Sequence, residues 1–430
     1  MLSKGGVQAQ KLIDTIIIGA GHAGLAVSYC LTERSIDHMV IERGEVANSW
    51  RNERWDSLTL LTPNWQSRLP GFSYSGNDPD GFMTMKEVVS FIDDYSRYCK
   101  APLLTNTTVT ALIQTDEGYQ VVTDAGDWYC RTVVIASGAC NVPAIPKVAK
   151  DLPVGIQQVT PWEYRKPDQL LEGGVLVVGA SATGLQLAEE IHLSGRPVTI
   201  ASGEHVRLPR TYRGKDIQWW MDITGLLDEG LDVIDDINRA RHLPSPQLVG
   251  SHLHQMLDLN TMTNLGVKLV GRLMGISNGH LQFSGSLTNV CALADLKMNR
   301  LLNAADEWAD QSSLATELDP PERFPRTAVD EVPCLGLDLS TCGIKTVVWA
   351  TGYRPDYSWM NIPVLDRKGM IKHIGGVTDS PGMYVLGMPF LRKRKSSFIH
   401  GAEDDARHVT EHLAKFLSQG MSQAANLPAN

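Results

Sequence analysis

Residues 15–30, TIIIGAGHAGLAVSYC, constrain the fold of this chain more than any other stretch. Ile16, Ile17 and Ile18 read as a short buried parallel strand, and GAGHAG as a turn into an apolar helix. In such a unit Gly19 permits the tight turn, Gly21 lets the backbone approach a pyrophosphate, and Gly24 lets the helix lie close on the strand. The first helical N–H groups, around His22 and Ala23, then face the phosphates with the positive end of the helix dipole. A second strand, His38 to Ile41, ends on Glu42, 23 residues after Gly19, with Arg43 beside it. A carboxylate there accepts hydrogen bonds from ribose hydroxyls. A glycine-rich turn in any α/β protein would explain the loop alone, but not strand, loop, helix and acid in this order.

Composition sets the outer limits. A chain of 430 residues is too long for one ordinary core and predicts two or three domains. Hydrophobic content of 43% and charged content of 20% fit a globular protein, and a net charge of −9 argues against a general nucleic-acid binder. The most apolar run, Ile16 to Leu31, is interrupted by three glycines and a histidine, so no membrane span is expected. The opening residues carry no apolar leader. Seven cysteines include no C-x-x-C pair and no zinc-ligand spacing, which fits reduced thiols in a cytoplasmic protein. The absence of a redox dithiol also argues against a disulfide reductase.

Residues 50–70 are rich in Trp, Arg, Pro and Asn and suit a long ordered loop over a cofactor. Trp50 and Trp55 could stack on a flat ring there, with Arg54 and Leu58 walling it; core anchoring of the tryptophans is the competing account. Met85 to Tyr98 reads as an amphipathic helix, and Val109–Ile113, Tyr119–Thr123 and Trp128–Cys130 as a small meander. A buried strand follows at Thr132–Ile135 and ends in small residues, Ala136 to Gly138. The same shape recurs 214 positions later and ends at Ala350, Thr351 and Gly352. Small residues at a strand end let backbone approach a bulky ligand.

Between these copies lies a second glycine loop. Val175–Val178 is a strand, Gly179-Ala180-Ser181-Ala182-Thr183-Gly184 the loop, Leu185–Leu193 a helix and Pro197–Ile200 the next strand. Counting 23 residues from Gly179 reaches Ser202 rather than an acid, and Arg207, Arg210 and Arg213 follow. A carboxylate would repel a 2′-phosphate, whereas a hydroxyl and arginines accept it. The first site therefore reads as FAD-like and the second as NADPH-like. Residues 225–340 read as an insertion: helices at Leu231–Arg241 and Ala292–Trp308, and a hairpin from Val267–Ile276 through Asn278-Gly279 to His280–Phe283. The second of these helices carries a stripe of Leu293, Leu296, Leu301, Ala304, Ala305 and Trp308. Met383–Leu386 is a further strand ending at Gly387, residues 391–398 form a basic run, and a last helix starts near Ala402. His408 and His412 flank Glu411 in a metalloprotease-like spacing, but a terminal helix offers no third ligand or cleft, and no metal is expected.

The two glycine loops, the WDSL stretch and VVWATGYRPD, in order along essentially the whole chain, resemble the flavin-containing monooxygenases, including YUCCA-like and bacterial CzcO-type flavoproteins. The resemblance implies an α/β fold of two Rossmann-like dinucleotide-binding domains, the second inserted in the first. The FAD domain is then 1–160 plus 345–430, and the NADPH domain is 161–344 with its helical insertion. It implies FAD reduced by NADPH, and a flavin 4a-hydroperoxide that oxygenates a small organic substrate with molecular oxygen. Two positions depart from the family pattern: a loose alignment puts Thr160 where the family linker motif has a histidine, and Leu61 where amine-oxidising members have asparagine. Arg54, Leu61 and Thr160 are thus the positions on which the chemistry turns. Two other readings stay open at this point: a reductase or oxidase that passes electrons on without oxygenation, and a protein that keeps FAD structurally. The oligomeric state, a homodimer included, is not readable.

Overall fold

The computed structural model describes residues 12–425; the opening stretch 1–11, where no apolar leader is expected, lies outside them. In chain order, β1 (Leu12–Ile18), α1 (His22–Glu33) and β2 (His38–Ile41) form the first strand–helix–strand unit. α2 (Met85–Tyr98) starts at a capping box in which Thr84 and Glu87 satisfy each other's backbone N–H groups. β3 (Leu103–Leu104), β4 (Val109–Thr115), β5 (Gly118–Thr123) and β6 (Gly126–Ile135) follow. β6 is one continuous strand where two segments were expected. Its first half closes the antiparallel meander on β5 while its second half runs parallel to β1, with Val133 opposite Ile16.

The second sheet collects β7 (Gln157–Val159), β8 (Gly174–Val178), β9 (Val198–Ser202) after α3 (Ala182–Leu193), β10 (Lys268–Gly271) and, far along the chain, Ile344–Trp349. Between them come β11 (Leu273–Ser277), β12 (His280–Phe283), α4 (Leu287–Gln311) and β13 (Gly336–Asp338). The long-range strand Ile344–Trp349 is β14; β15 (Met383–Val385) returns to the first sheet, and α5 (Ala402–Ala425) closes the described chain.

The two sheets repeat one plan. Around β1 the parallel order is β3-β2-β1-β6-β15, and around β8 it is β10-β9-β8-β14-β7. Each central strand is buried on both faces, as parallel sheets between helices are: Ile16 and Ile17, and Val175 to Val177, have no exposed surface. The plan places β7 and β14, which lie at the expected domain boundaries, in the second sheet. It also splits the expected strand over Val267–Ile276. Its first part, β10, pairs in parallel with β9, and only the second part, β11, forms the hairpin with β12. Asn278 and Gly279 turn that hairpin with φ of 49° and 76°.

Two helical expectations also change. Leu231–Arg241 holds only short turns, Leu231–Val233 and Ile237–Arg241. In α4 the buried face is Cys291, Ala294, Asp295, Met298, Leu302, Ala305 and Ala309, while Leu293 and Leu296 are exposed. Apolar spacing misplaced the face because the buried side includes an aspartate with a charged partner. No helix among the described residues is long and apolar enough to cross a membrane.

Candidate active site

The first glycine loop leaves β1 at Gly19, whose φ of 111° only glycine adopts readily. A Cβ on Gly19 would lie 2.5 Å from the Ala136 carbonyl oxygen, and one on Gly24 would lie 2.0 Å from that of Gly19. A Cβ on Gly21 would meet nothing within 4 Å, so the middle of the loop faces open space where the outer glycines face backbone. No side chain caps α1, which leaves its first N–H groups for a ligand. His22 at that end is held neutral by burial, which lowers its imidazole to about 4. Glu42 sits at the end of β2, its carboxylate accepting from Ala20 N at 2.8 Å and Gly44 N at 3.1 Å.

The second loop repeats this geometry almost atom for atom. A Cβ on Gly179 would lie 2.2 Å from the Ala350 oxygen, and one on Gly184 2.0 Å from the Gly179 oxygen. α3 also lacks a side-chain cap at Ser181, with Ala182 and Thr183 opening its first turn. The residues present therefore fit two dinucleotide pyrophosphates, one per sheet.

The exits of β6 and β14 bring the two halves together. Ala136 N donates to Ile18 O at 2.9 Å, and the chain passes Gly138 to Val142–Pro143. There it pairs antiparallel with Tyr353–Arg354, just beyond Thr351 and Gly352, and Thr351 Oγ1 donates to Ala144 O at 2.7 Å. Leu386 N donates to Ile135 O at 2.9 Å, which sets Gly387 against Ala23. At this crossing the Arg54 guanidinium lies 5.6 Å from the Trp50 ring centre and 5.7 Å from that of Tyr353. Burial raises the Cys140 thiol against the opposing pull of Arg54. Arg43 pairs with Glu53, which also accepts from Ser49 Oγ at 2.7 Å, fixing the start of this segment.

Several expected positions lie elsewhere. Trp55 and Leu58 are buried in the core of the second half with Tyr164 and Leu185. Leu61 packs on the cluster of Leu208, Tyr212 and Leu248, while its carbonyl accepts from Arg210 Nη1 at 2.8 Å. Thr160 is 3% exposed and donates to Glu163 Oε2 at 2.9 Å, which makes it part of a local turn. Only Arg54 of the three reaches the crossing.

Arg207 and Arg210 correct the phosphate expectation outright. Arg207 is 2% exposed and is shared between Asp258 and Asp295, each at 2.7 Å. Arg210 is 1% exposed, pairs with Asp216 at 2.5 Å and covers the Phe82 ring. Both are tied up inside the protein. The basic run is likewise engaged, with Lys393 and Lys395 on Asp228 and Asp404. His412 Nδ1 lies 3.0 Å from the Tyr384 hydroxyl.

The sequence reading missed Tyr353 and Gln247. Tyr353 follows Gly352 in the second small-residue motif, and it comes near Arg54 only once the two halves meet. Gln247 is fully buried and donates to Ala180 O at 2.7 Å inside the second loop. It lies 67 residues from that loop, and nothing in its neighbourhood marks it.

Comparison with known proteins agrees with this geometry. Residues 16–220, which span both glycine loops, match the family model described as pyridine nucleotide-disulphide oxidoreductase. An uncharacterized CzcO-like oxidoreductase of Geobacillus kaustophilus is 31% identical over 407 residues, covering 94% of this chain and 99% of its own. The indole-3-pyruvate monooxygenase YUCCA6 of Arabidopsis thaliana is 28% identical over 211 residues, 46% of this chain and 50% of its own. Among solved structures, the flavin-containing monooxygenase of Stenotrophomonas maltophilia shares the fold, with a TM-score of 0.66 at 16% identity over 95% of this chain and 100% of that one. Since the Geobacillus relative is matched along nearly its whole length, the chain belongs to the flavin-containing monooxygenase family, in its CzcO-like branch, and is an FAD- and NADPH-dependent oxidoreductase.

Proposed function

We propose that this protein is a monooxygenase for a small organic substrate. The observation that carries the reading is the pairing of the two cradles' exit segments, Val142–Pro143 with Tyr353–Arg354, which joins the two dinucleotide halves at one place. FAD is assigned to the half built on β1, with Gly19, Gly21, Gly24 and Glu42, and NADPH to the half built on β8, with Gly179, Ser181, Gly184 and Ser202. The domains divide accordingly, with β7 and β14 in the NADPH half. When bound, reduced FAD supplies the activation of molecular oxygen. The side chains here supply orientation and a dry setting. Arg54, between Trp50 and Tyr353, puts a fixed cation at the crossing, and Gly138 and Gly352 keep bulk away from it. All seven cysteines are unpaired, which supports a reducing, cytoplasmic setting.

A second reading, reduction of oxygen or another acceptor without oxygenation, is favoured by one observation. Leu61 and Thr160, the two positions that depart from the family pattern, are packed or locally bonded. The two readings separate in a single assay under ¹⁸O₂ with NADPH and a panel of small amines, sulfides and ketones. Label in an organic product, with little peroxide released, supports the monooxygenase. NADPH consumption matched by peroxide across the whole panel overturns it in favour of the oxidase.

A further inference from the structure

With Arg207 and Arg210 buried in internal ion pairs, the cation that distinguishes the second site must come from elsewhere. The third strand of each sheet supplies the comparison. β3 ends at Leu104, opposite Ile41, and is followed by Thr105 and Asn106; β10 runs one step further, to Gly271, and is followed by Arg272. Register places Gly271 directly opposite Ser202, the residue that stands where the first half has Glu42. The two halves therefore differ in charge at one equivalent place. The first has a carboxylate with Asn106 one residue beyond its cross-strand neighbour, and the second a hydroxyl with the Arg272 guanidinium at that place.

The Arg272 side chain lies along Gly203, the residue after Ser202. A Cβ built on Gly203 would sit 3.6 Å from its Cδ and 3.7 Å from its Cγ. Arg272 is exposed, and among the described residues its side chain has no hydrogen bond or ion pair. The nearest acid in sequence, Glu204, is held by Lys297 at 3.3 Å. Ser202 Oγ makes only long contacts, 3.3 Å to Gly203 O and 3.4 Å to His205 Nδ1, and is free to turn toward a better acceptor. At the end of the second strand of a dinucleotide-binding unit, an acid selects ribose hydroxyls and an arginine selects a 2′-phosphate.

We propose that Arg272, laid over Gly203 beside Ser202, recognises the adenosine 2′-phosphate and sets the preference of this site for NADPH over NADH. The inference rests on the reading of the β8 half as the nicotinamide dinucleotide site.

Calorimetric titration of the FAD-loaded enzyme with adenosine 2′,5′-bisphosphate and with 5′-AMP tests it without turnover. The wild type is expected to bind the bisphosphate more tightly. Arg272→Gln should weaken bisphosphate binding on the order of ten- to a hundredfold and leave 5′-AMP unchanged. Arg272→Lys should restore part of the loss. Flavin absorbance and far-UV dichroism show whether the variants remain folded, and the salt dependence of wild-type bisphosphate binding reports the ionic contact without any variant. Arg272→Gln that still discriminates, or a salt-insensitive wild type, overturns the role of Arg272 while the dinucleotide site stands. A wild type that binds both ligands equally overturns the phosphate preference. A wild type that binds neither overturns the underlying reading of the site.

Discussion

At the scale of single residues, the outer glycines of each loop are required by backbone and the middle one by the ligand. Gly24→Ala would push a methyl group against the Gly19 carbonyl, so α1 must lift from β1. Overpacking of this kind costs about 1–3 kcal/mol, and the variant should melt earlier and retain less FAD by absorbance near the flavin maximum. Gly21→Ala meets open space at an ordinary φ of −82°. Its cofactor-free form should be within about 0.5 kcal/mol of wild type, yet it should lose flavin on gel filtration. Wild-type flavin content in Gly21→Ala would refute the pyrophosphate reading. Asp405 is a different residue-scale case. It is 1% exposed in the first turn of α5, and burial raises its carboxyl to about 6, against weaker opposition from Ser396 and Arg392. Since the folded pKa lies above the unfolded one, this group favours folding at low pH, and that contribution is lost as pH rises from about 4 to about 6. Asp405→Asn should therefore stabilise the protein by ~1–3 kcal/mol at pH 7 and have little effect at pH 4. Urea titrations at the two pH values measure the difference, and an equal effect at both would show that the buried carboxyl is not the cause.

At the scale of elements, one arginine determines how α4 docks. Arg207 Nε and Nη2 engage Asp258, which also caps the helix Leu259–Leu265 through Thr261 N at 2.8 Å. Nη1 engages Asp295 of α4, whose carboxylate also takes Thr327 N at 2.8 Å, and the Pro325 carbonyl. Removing one partner of a buried charge group costs roughly 3–5 kcal/mol because the other charges are left without compensation. Arg207→Ala should lower stability by that amount in urea unfolding, with unchanged affinity for adenosine 2′,5′-bisphosphate in the fraction that stays folded. Full stability with lost affinity would return Arg207 to the ligand site. The same network explains why apolar spacing misplaced the buried face of α4: Asp295 reads as solvated until Arg207, 88 residues away, arrives beside it.

At the scale of the whole molecule, the two halves are joined on the side of the basic run. Arg394 N donates to Glu229 O at 3.1 Å, and its guanidinium pairs with the Glu229 carboxylate at 2.5 Å. Lys393 and Lys395 both reach Asp228, at 2.7 and 2.9 Å, and Asp404, at 3.1 and 3.2 Å. Burial raises both carboxyls, but the two lysines outweigh it and hold Asp228 and Asp404 below the usual aspartate range. Their contribution is complete above the unfolded aspartate value and is lost as pH falls through the lowered folded values. Isolated exposed pairs contribute ~0–1 kcal/mol each, so the triple variant Lys393→Ala, Arg394→Ala, Lys395→Ala should cost about 1–3 kcal/mol. It should also increase hydrogen exchange over residues 226–232 selectively. Unchanged exchange there would mean that the backbone pairing of Gly230 with Lys393 suffices to hold the halves together.

The sequence alone determined the two glycine cradles, the strands that feed them, the acid at Glu42 and its replacement at Ser202. These signals are local, since steric and hydrogen-bonding demands within some 25 residues impose them. Only the tertiary structure decided which cations stay free. Arg207 and Arg210 looked like phosphate ligands because charge is visible in sequence and its neutralisation is not; the carboxylates that claim Arg207 come from 51 and 88 residues away. Arg272 was hidden for the opposite reason. β10 and β11 are separated by a single residue and read as one hairpin arm, so the strand that carries Arg272 to Ser202 could be recognised only from its parallel pairing with β9.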